Sequence, residues 1–289
     1  MVQKESDNRS EDLSRDRIKL EEFRKYMRAG EKLPMKRVLR TMFSLSEDTA
    51  SYEEIRDRLL SGGRVTGTNM VIMICAILIA SVGLNTNSVA VIIGAMLISP
   101  LMGSILAMAY GTAIASTNVI ERHTLGFLIQ IVISVATSTL YFLLSPVKDV
   151  TSELLARTEP TAFAVIVAFF GGIAGIIGST RKDKVTNVIP GVAIATAIMP
   201  PLCTCGYAIA NAKWEMLLRA AYLFVINAYF IFLSAELILL ILKVPKVKEL
   251  SEREKKVYLW RKVRNTIIVL LPCIVLGAVA ATHGMDIIP

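Results

Sequence analysis

The sequence predicts an all-α polytopic membrane protein with about seven transmembrane helices. The chain has 289 residues, of which 54% are hydrophobic, and a mean hydropathy of +0.55, far above that of an ordinary soluble domain. Residues 65–120 contain no Asp, Glu, Lys, Arg or His. Two apolar segments interrupted by proline recur in consecutive stretches. Together these observations predict two three-helix inverted repeats, each with a proline-broken second helix, followed by a final helix.

The first 64 residues are dense in charge and contain no long apolar run. We therefore expect no cleavable signal peptide, and the first span would act as its own insertion signal. Helical periodicity is present at 16–29 and at 52–60. Ser51 and Glu54 fit a helix N-terminal capping box, and Gly62-Gly63 fits a helix stop. This region is predicted to rest on the cytoplasmic headgroups or, alternatively, to bind a regulatory partner.

Residues 65–120 are too long for a single span. One helix of that length would reach roughly 84 Å, against a hydrocarbon core of about 30 Å. The polar residues 85–87 provide the natural turn between two spans. The same reading of the whole chain predicts spans at 65–84, 88–115, 124–145, 161–180, 188–211, 216–242 and 265–283.

Basic residues near the span ends predict the orientation, because basic loops resist translocation. With a cytoplasmic N-terminus, the inner loops hold most of them, including nine between Lys243 and Arg264. The outer loops hold Lys148, Arg157 and Lys213. We therefore expect the C-terminus outside. The predicted regions are a charged cytoplasmic part at 1–64, membrane repeats at 65–145 and 161–242, a basic cytoplasmic segment at 243–264 and a last transmembrane helix within 265–289.

The second predicted span contains a proline at its centre. Pro100 has no N–H, so the carbonyl of Met96 loses its helical partner and Ser99 is disfavoured in the α conformation. Irregular backbone at this depth is tolerated where it faces protein or a wet cavity. The span is therefore predicted to be broken beside a lined cavity, with a plain structural kink as the alternative.

A second proline-interrupted segment supports the cavity. Pro200-Pro201 lies inside the fifth predicted span, and an offset of 101 residues aligns Pro100-Leu101 with Pro201-Leu202. The two segments are the second members of consecutive three-span units, and an odd number of spans inverts the second unit. Gln130 and Asn227 add one polar position to the third span of each unit. Inverted repeats with paired discontinuous helices are typical of secondary transporters.

The candidate substrate site follows from these two breaks, which we expect to meet near the bilayer midplane. Polar residues at the outer turn would form an entrance, and hydroxyl groups beside the breaks would contact a ligand. The predicted substrate-binding residues are Asn85, Asn87, Ser88, Ser99, Pro100, Thr196, Pro200, Pro201 and Thr204. Small residues such as Gly94 and Gly103 would let backbone or ligand come close.

Glu236 is the one carboxylate deep within a predicted span. Because burying a charge in the membrane is costly, it is a candidate coupling-ion or proton site together with Asn227. The alternative is a structural ion pair near the inner interface. Glycines at 171 and 175 have the GxxxG spacing of close helix approach, within one chain or between subunits.

No enzyme, cofactor or metal site is predicted. Nucleotide-binding loops, metalloprotease motifs and nucleophile elbows are all missing from the sequence. Cys203 and Cys205 lie two residues apart, and such thiols point about 200° apart on a regular helix, so they do not converge on a metal. The net charge of +8 follows from membrane topology, and nucleic-acid binding is not expected.

GLNTNSVAVIIGAMLISPLMGSI, residues 83–105, closely resembles the signature of the prokaryotic domain of unknown function 389 family, an uncharacterised hydrophobic membrane domain. The resemblance extends over roughly 65–210 and centres on GAMLISPLMG. It implies a multispan protein of a bacterial or archaeal cell (inner) membrane, and no established substrate. Many members carry a soluble α+β domain before the membrane part, whereas here residues 1–64 are charged and helical.

Two classes of function compete. The first is a transporter or channel for a small solute or ion. The second is a non-transporting scaffold or sensor, whose charged N-terminal region and basic 243–264 segment bind a cytoplasmic partner or anionic lipid. A scaffold does not need paired breaks, so transport is favoured. Small-residue faces predict a homo-oligomer.

Overall fold

A computed structural model describes residues 49–159, 161–182, 198–247 and 252–282. These residues form helices and no β-strand, with one isolated β-bridge between Thr49 and Arg181. The helices are α1 Tyr52–Gly62, α2 Gly67–Asn85, α3 Val89–Ile98, α4 Leu101–Ala113, α5 Thr117–Leu144, α6 Ser152–Ala156, α7 Ala162–Thr180, α8 Met199–Ala210, α9 Trp214–Ile241 and α10 Glu252–Thr282. The predicted all-α class is therefore confirmed for the described part of the chain.

Several helices are suited to a membrane. Four of them, α2, α5, α7 and α9, are long and apolar enough to span it. Helices α3 and α4 are together also long and apolar enough to span it, and the angle of the bend between them is 47°. Four or five of the predicted spans are thus present in the described residues. The predicted spans at 188–211 and 265–283 are described only in part, so the count of seven stays a prediction.

Hydrogen bonds between helices give the bundle two ends. At one end the ring Nδ1–H of His123, near the start of α5, donates to the carbonyl of Gly63, just before α2, over 3.0 Å. At the other end Asn85 Nδ2, at the end of α2, donates to Ser145 Oγ after α5, over 2.8 Å. We call these the α1 end and the α6 end. Since α2 and α5 run parallel, α3 and α4 carry the chain back from the α6 end to the α1 end.

The second half of the chain runs in the opposite direction. The carbonyl of Thr180, where α7 ends, accepts from Ala50 N at the α1 end over 2.8 Å. Tyr207, in the last turn of α8, donates its hydroxyl proton to the carbonyl of Lys148 at the α6 end over 2.6 Å. Beyond α9, the Val247 N–H reaches the carbonyl of Ile114 at the α1 end over 2.8 Å. Consequently α7 runs in the opposite direction to α2, α8 to the bent pair of α3 and α4, and α9 to α5.

The turns after α4 and α8 have the same backbone conformation. Ala115 (φ 56°) and Ala212 (φ 53°) both lie in the left-handed region. Both turns lead into 28-residue helices, α5 and α9. The offset between the turns is 97 residues, which differs from the 101 of the proline alignment. A proline fits several first-turn positions of a helix, because those N–H groups have no intrahelical acceptor, so prolines fix the register poorly.

Helix boundaries depart from the predicted spans where charged residues continue a helix. Helix α5 begins at 117, seven residues before the predicted span, and includes His123. Helix α10 runs continuously from Glu252, through the second half of the predicted basic segment at 243–264. Hydropathy marks the membrane part of a helix, whereas Glu, Lys and Arg are good helix formers that extend it. Helix α1 agrees with prediction, with Ser51 Oγ accepting from Glu54 N over 3.3 Å. The other predicted N-terminal helix, at 16–29, lies outside the described residues.

Close approaches between helices occur at glycines. Helix α7 packs on α9 at Gly172, where an added Cβ would lie 2.8 Å from the Cα of Ile231. An added Cβ at Gly206 of α8 would meet the backbone nitrogen of Thr139 in α5 at 2.7 Å. The backbone of Gly62 packs directly against Gly103 in α4. A close approach within one chain therefore occurs at Gly172, whereas the role of the predicted pair at 171 and 175 stays a prediction.

Candidate functional site

The break between α3 and α4 has the backbone predicted for it. Ser99 is extended (φ −73°, ψ 129°), and α4 begins directly after Pro100. The carbonyl of Met96 does lose its helical partner, but the Ser99 N–H compensates by donating to it over 3.3 Å. The Pro100 carbonyl accepts from Gly103 N over 3.1 Å. The Met96 and Pro100 carbonyls at this break are thus satisfied within the chain.

Three buried side-chain atoms near this region have no hydrogen-bond partner in the described part of the chain. They are Ser99 Oγ, Gln130 Nε2 and Asn227 Oδ1. Gln130 is fully buried and Asn227 is 5% exposed. A buried polar group left unpaired costs about 1–3 kcal/mol. Free donors and acceptors of this kind are the features that a polar ligand or water would satisfy.

Contacts between helices link the elements that carry these groups. Ser104 Oγ, one turn beyond the break in α4, donates to Gln130 Oε1 in α5 over 2.8 Å. Helix α4 also packs on α9, which carries Asn227. The Phe127 and Phe224 rings stack with centroids 5.9 Å apart, and Gln130 and Asn227 each follow one of these rings by three residues. Because α5 and α9 run in opposite directions, Gln130 lies one turn from the stacked rings towards the α6 end, and Asn227 lies one turn from them towards the α1 end.

The second predicted break is described from its C-terminal side. Residues 183–197, including the predicted site residue Thr196, lie outside the described residues. Pro200 and Pro201 occupy the first turn of α8 and are buried. Thr204 is fully buried, and its hydroxyl donates to the Pro200 carbonyl over 3.0 Å. Thr204 therefore has a partner inside its own helix, in contrast to Ser99.

Helix α8 is regular through its two cysteines. Cys203 Sγ points to the carbonyl of Ile77 in α2, and Cys205 Sγ to the carbonyl of Leu217 in α9. The two thiols therefore contact different neighbouring helices. No group of three or more potential metal ligands occurs among the residues that the structure describes.

The polar residues of the predicted entrance have structural partners at the α6 end. Asn87, with a positive φ of 54°, accepts from Ser152 Oγ (2.9 Å) and Glu153 N (3.1 Å) and so holds the start of α6. Asn85 Nδ2 joins α2 to α5, whereas its buried Oδ1 has no partner within the described ranges. Ser88 is partly buried at the start of α3 and makes no capping bond. An entrance at these positions stays a prediction.

Glu236 is fully buried in α9 and faces α10. Its Oε1 forms an ion pair with Lys262 Nζ and accepts the hydroxyl proton of Tyr258. Burial, with the Glu236 contact, raises the pKa of Tyr258 above its usual value, so this hydroxyl stays protonated as a donor. The contacts favour the structural ion pair among the alternatives, although Glu236 Oε2 remains without a partner in the described residues.

Glu236 belongs to a polar seam between α9 and α10 that was not predicted from the sequence. Tyr222, Tyr229 and Glu236 recur every seven residues on one face of α9. Tyr222 donates to the carbonyl of Val269 over 2.8 Å, and the Tyr229 hydroxyl lies 2.8 Å from Thr266 Oγ1. Helices α9 and α10 are therefore antiparallel and joined by polar contacts. The heptad spacing of the three polar residues was the available signal.

Comparisons with known proteins agree with the sequence motif. Residues 96–233 match the model of a family described as a domain of unknown function, DUF389. The chain is also 26% identical over 167 residues to the "Uncharacterized protein MJ0678" of Methanocaldococcus jannaschii. That alignment covers 58% of this chain and 52% of the relative, so the match spans about half of the relative's length. No solved structure matches the chain. The predicted resemblance to the domain of unknown function 389 family is thus confirmed, with residues 96–233 as the matching region.

Proposed function

We propose that this protein is an integral membrane transporter or channel for a small solute or ion, with its site beside the break at Ser99-Pro100. The observation that carries the proposal is the set of unpaired buried atoms Ser99 Oγ, Gln130 Nε2 and Asn227 Oδ1. A protein that needed only stability would replace such groups with apolar ones, because an unpaired buried polar atom is costly. A passing polar solute supplies the missing partners.

An inverted repeat supports this proposal. Helices α7, α8 and α9 run opposite to α2, the bent pair and α5, as the contacts at the two ends of the bundle require. The turns at Ala115 and Ala212 are related by 97 residues. The same offset relates Gln130 to Asn227 and Phe127 to its stacking partner Phe224. A pair that is equivalent by this offset and in direct contact, as Phe127 and Phe224 are, is expected beside a pseudo-two-fold axis, where transporters of this architecture bind substrate.

The chain path is compatible with seven crossings. If residues 188–211 and 265–283 each cross, then α8 returns the chain to the α6 end, as its Tyr207 contact requires, and α10 crosses antiparallel to α9. The α1 end carries Arg64, Arg122, Arg181 and Lys182, so we assign it to the cytoplasm of a prokaryotic cell. The N-terminus is then cytoplasmic, and the C-terminus lies outside.

The chemistry of the site restricts the solute. Hydroxyl and amide groups offer both donors and acceptors without a fixed charge. The nearest carboxylate on α9, Glu236, lies nine residues from Asn227, which is about 13 Å along a helix. Such a site suits a small neutral or zwitterionic solute, or a monovalent ion coordinated by oxygen atoms. It is less suited to a multivalent ion, which needs charged ligands.

Flux across proteoliposomes tests the proposal. Vesicles containing the purified full-length protein are exposed to gradients of monovalent cations, monovalent anions and small neutral or zwitterionic amides, with ion-sensitive dyes and light scattering as readouts. We expect faster flux of one class than in protein-free vesicles, and loss of that flux in Asn227→Leu. A matched control is Ser81→Ala, at a buried hydroxyl that already has a partner in Ser138. If no class crosses faster than in protein-free vesicles, the proposal is wrong.

A scaffold or sensor is the second candidate, and one observation favours it. Helix α1 contacts both halves of the bundle, α4 through Gly62 and α7 through Arg58, which donates to the Arg181 carbonyl over 2.5 Å. A helix attached at two points can report a partner's binding to the membrane part. In that case, a partner would bind without any flux in the vesicle assay.

We also propose that the protein is a homo-oligomer and not an enzyme.

A further inference from the structure

A cleft opens at the α1 end, between the end of α1 and the first turns of α5. Its volume is about 170 Å³, and it is lined by Leu60, Arg64, Asn118, Val119, Arg122 and His123. A single water requires only about 10–15 Å³ of such space, so the cleft admits a group of several heavy atoms. It lies at the other end of α5 from Asn85 and Ser145 and is separate from the unpaired polar atoms of the proposed transport site.

The cleft is cationic, and its charges are uncompensated among the residues that the structure describes. Within the described part of the chain, no carboxylate lies within ion-pair distance of Arg64 or Arg122. Glu121 is adjacent to Arg122 in sequence, and neighbouring residues of a helix do not face each other. His123 donates its Nδ1 proton to the Gly63 carbonyl, a bond that holds the ring at the cleft. Two guanidinium groups therefore share one cleft.

The start of α5 adds to this positive potential. Asn118 and Val119, in its first turn, line the cleft. Ser116, which precedes the helix, makes no side-chain capping bond. The first N–H groups of a helix have no intrahelical acceptor and carry a partial positive charge. A phosphate group next to two arginines and a helix start would receive charge-assisted hydrogen bonds from both.

The surface beyond the cleft is suited to a hydrocarbon chain. Leu125, Ile129 and Val132 follow Arg122 on α5 at helical spacing, and they are 61%, 41% and 67% exposed. This apolar strip starts at the cleft and runs towards the middle of a predicted span. A soluble phosphate compound would not contact this strip, whereas a phospholipid would place its headgroup in the cleft and its acyl chain along the strip.

We propose that this cleft binds the phosphate headgroup of an acidic phospholipid, with Arg64 and Arg122 as its ligands. Positive charge near a leaflet surface attracts acidic lipid in general. The proposal is more specific than that attraction: these two arginines hold a lipid that other basic residues at the same end do not.

Native mass spectrometry of the full-length protein tests this site. The probes are phosphatidylglycerol, phosphatidylcholine and inorganic phosphate, each titrated onto the detergent-solubilised protein. The cleft variant is Arg64→Gln with Arg122→Gln. The matched control is Lys182→Gln with Lys246→Gln, which removes two exposed charges outside the cleft lining. We expect phosphatidylglycerol to bind the cleft variant at least about tenfold more weakly than the wild type, with a smaller change in the control.

Each other outcome overturns the proposal. Equal weakening in the cleft variant and the control would mean that only general electrostatic attraction operates. Inorganic phosphate binding as tightly as phosphatidylglycerol would mean a free phosphate site. Phosphatidylcholine binding as tightly as phosphatidylglycerol would remove the role of acidic charge. Since both arginines are exposed, the variants are expected to fold, and Arg64→Lys with Arg122→Lys should retain part of the preference.

Discussion

Individual residues explain why the bundle packs so closely around the break. Gly103 lies three residues after Pro100 and faces the backbone of Gly62, so a side chain at this position has no space. Gly94, in contrast, has nothing within 4 Å of where a Cβ would lie. Both glycines are predicted from the sequence to allow close approach, because a small residue in a proline-containing segment does not reveal what packs against it.

Gly103→Ala is expected to destabilise the protein by about 1–3 kcal/mol, because the added methyl group would force α1 away from α4. Unfolding in mixed detergent micelles measures the change. Gly94→Ala is the matched control, and we expect it to be neutral or slightly stabilising, since alanine favours helix over glycine. Equal destabilisation by the two substitutions would show that α1 does not pack against Gly103.

Glu236→Gln should destabilise the contact between α9 and α10 by about 3–5 kcal/mol, because it leaves the Lys262 charge without its buried partner. The double variant Glu236→Leu with Lys262→Met should recover most of the loss, since apolar residues of similar size often replace a buried ion pair without cost. Thermal unfolding of both proteins provides the measurement. A double variant as unstable as the single one would contradict the structural role and favour coupling.

At the level of elements, the sequence predicted those features that depend on local chemistry. The Ser51 cap, the polar turn at 85–87 and the break at Ser99-Pro100 all follow from residue type alone. The start of α5 and the seam between α9 and α10 were not predicted. Hydropathy did not predict the first turns of α5, because they contain charged residues. The partners of Tyr222 and Tyr229 lie on another helix, more than 30 residues away in the sequence.

The direction of each element gives a topology prediction. In a protein without its native thiols, Asp183→Cys and Leu250→Cys should be shielded from an impermeant reagent applied outside cells. Ser152→Cys and Lys213→Cys should react, because they lie at the α6 end, which we assign to the outside. Labelling after membrane lysis controls for thiol reactivity. Labelling of the cysteine at 183 from outside would contradict the proposed orientation.

For the whole molecule, the sequence predicted a repeat from its prolines, whereas the structural features that agree with the proposed repeat lie at other residues. The turns at Ala115 and Ala212 and the stacked Phe127 and Phe224 share the 97-residue offset. A turn with positive φ is defined by backbone conformation, which sequence identity at two alanines does not reveal. The unpaired Ser99, Gln130 and Asn227 atoms likewise became visible only after packing was known, since every one of these residue types is usually satisfied.

The central claim is that polar solutes reach the buried groups beside the break, and thiol accessibility in intact membranes measures this directly. Ser99→Cys and Asn227→Cys are placed singly in a protein without native thiols and treated with a small charged thiosulfonate reagent. The controls are Ser81→Cys, buried between α2 and α5, and Val132→Cys, on the exposed apolar face of α5. We predict that the cysteines at 99 and 227 react while both controls do not, with all four labelled after denaturation. If the cysteines at 99 and 227 are as unreactive as the one at 81, the break is a dry structural kink, and the transport proposal is contradicted.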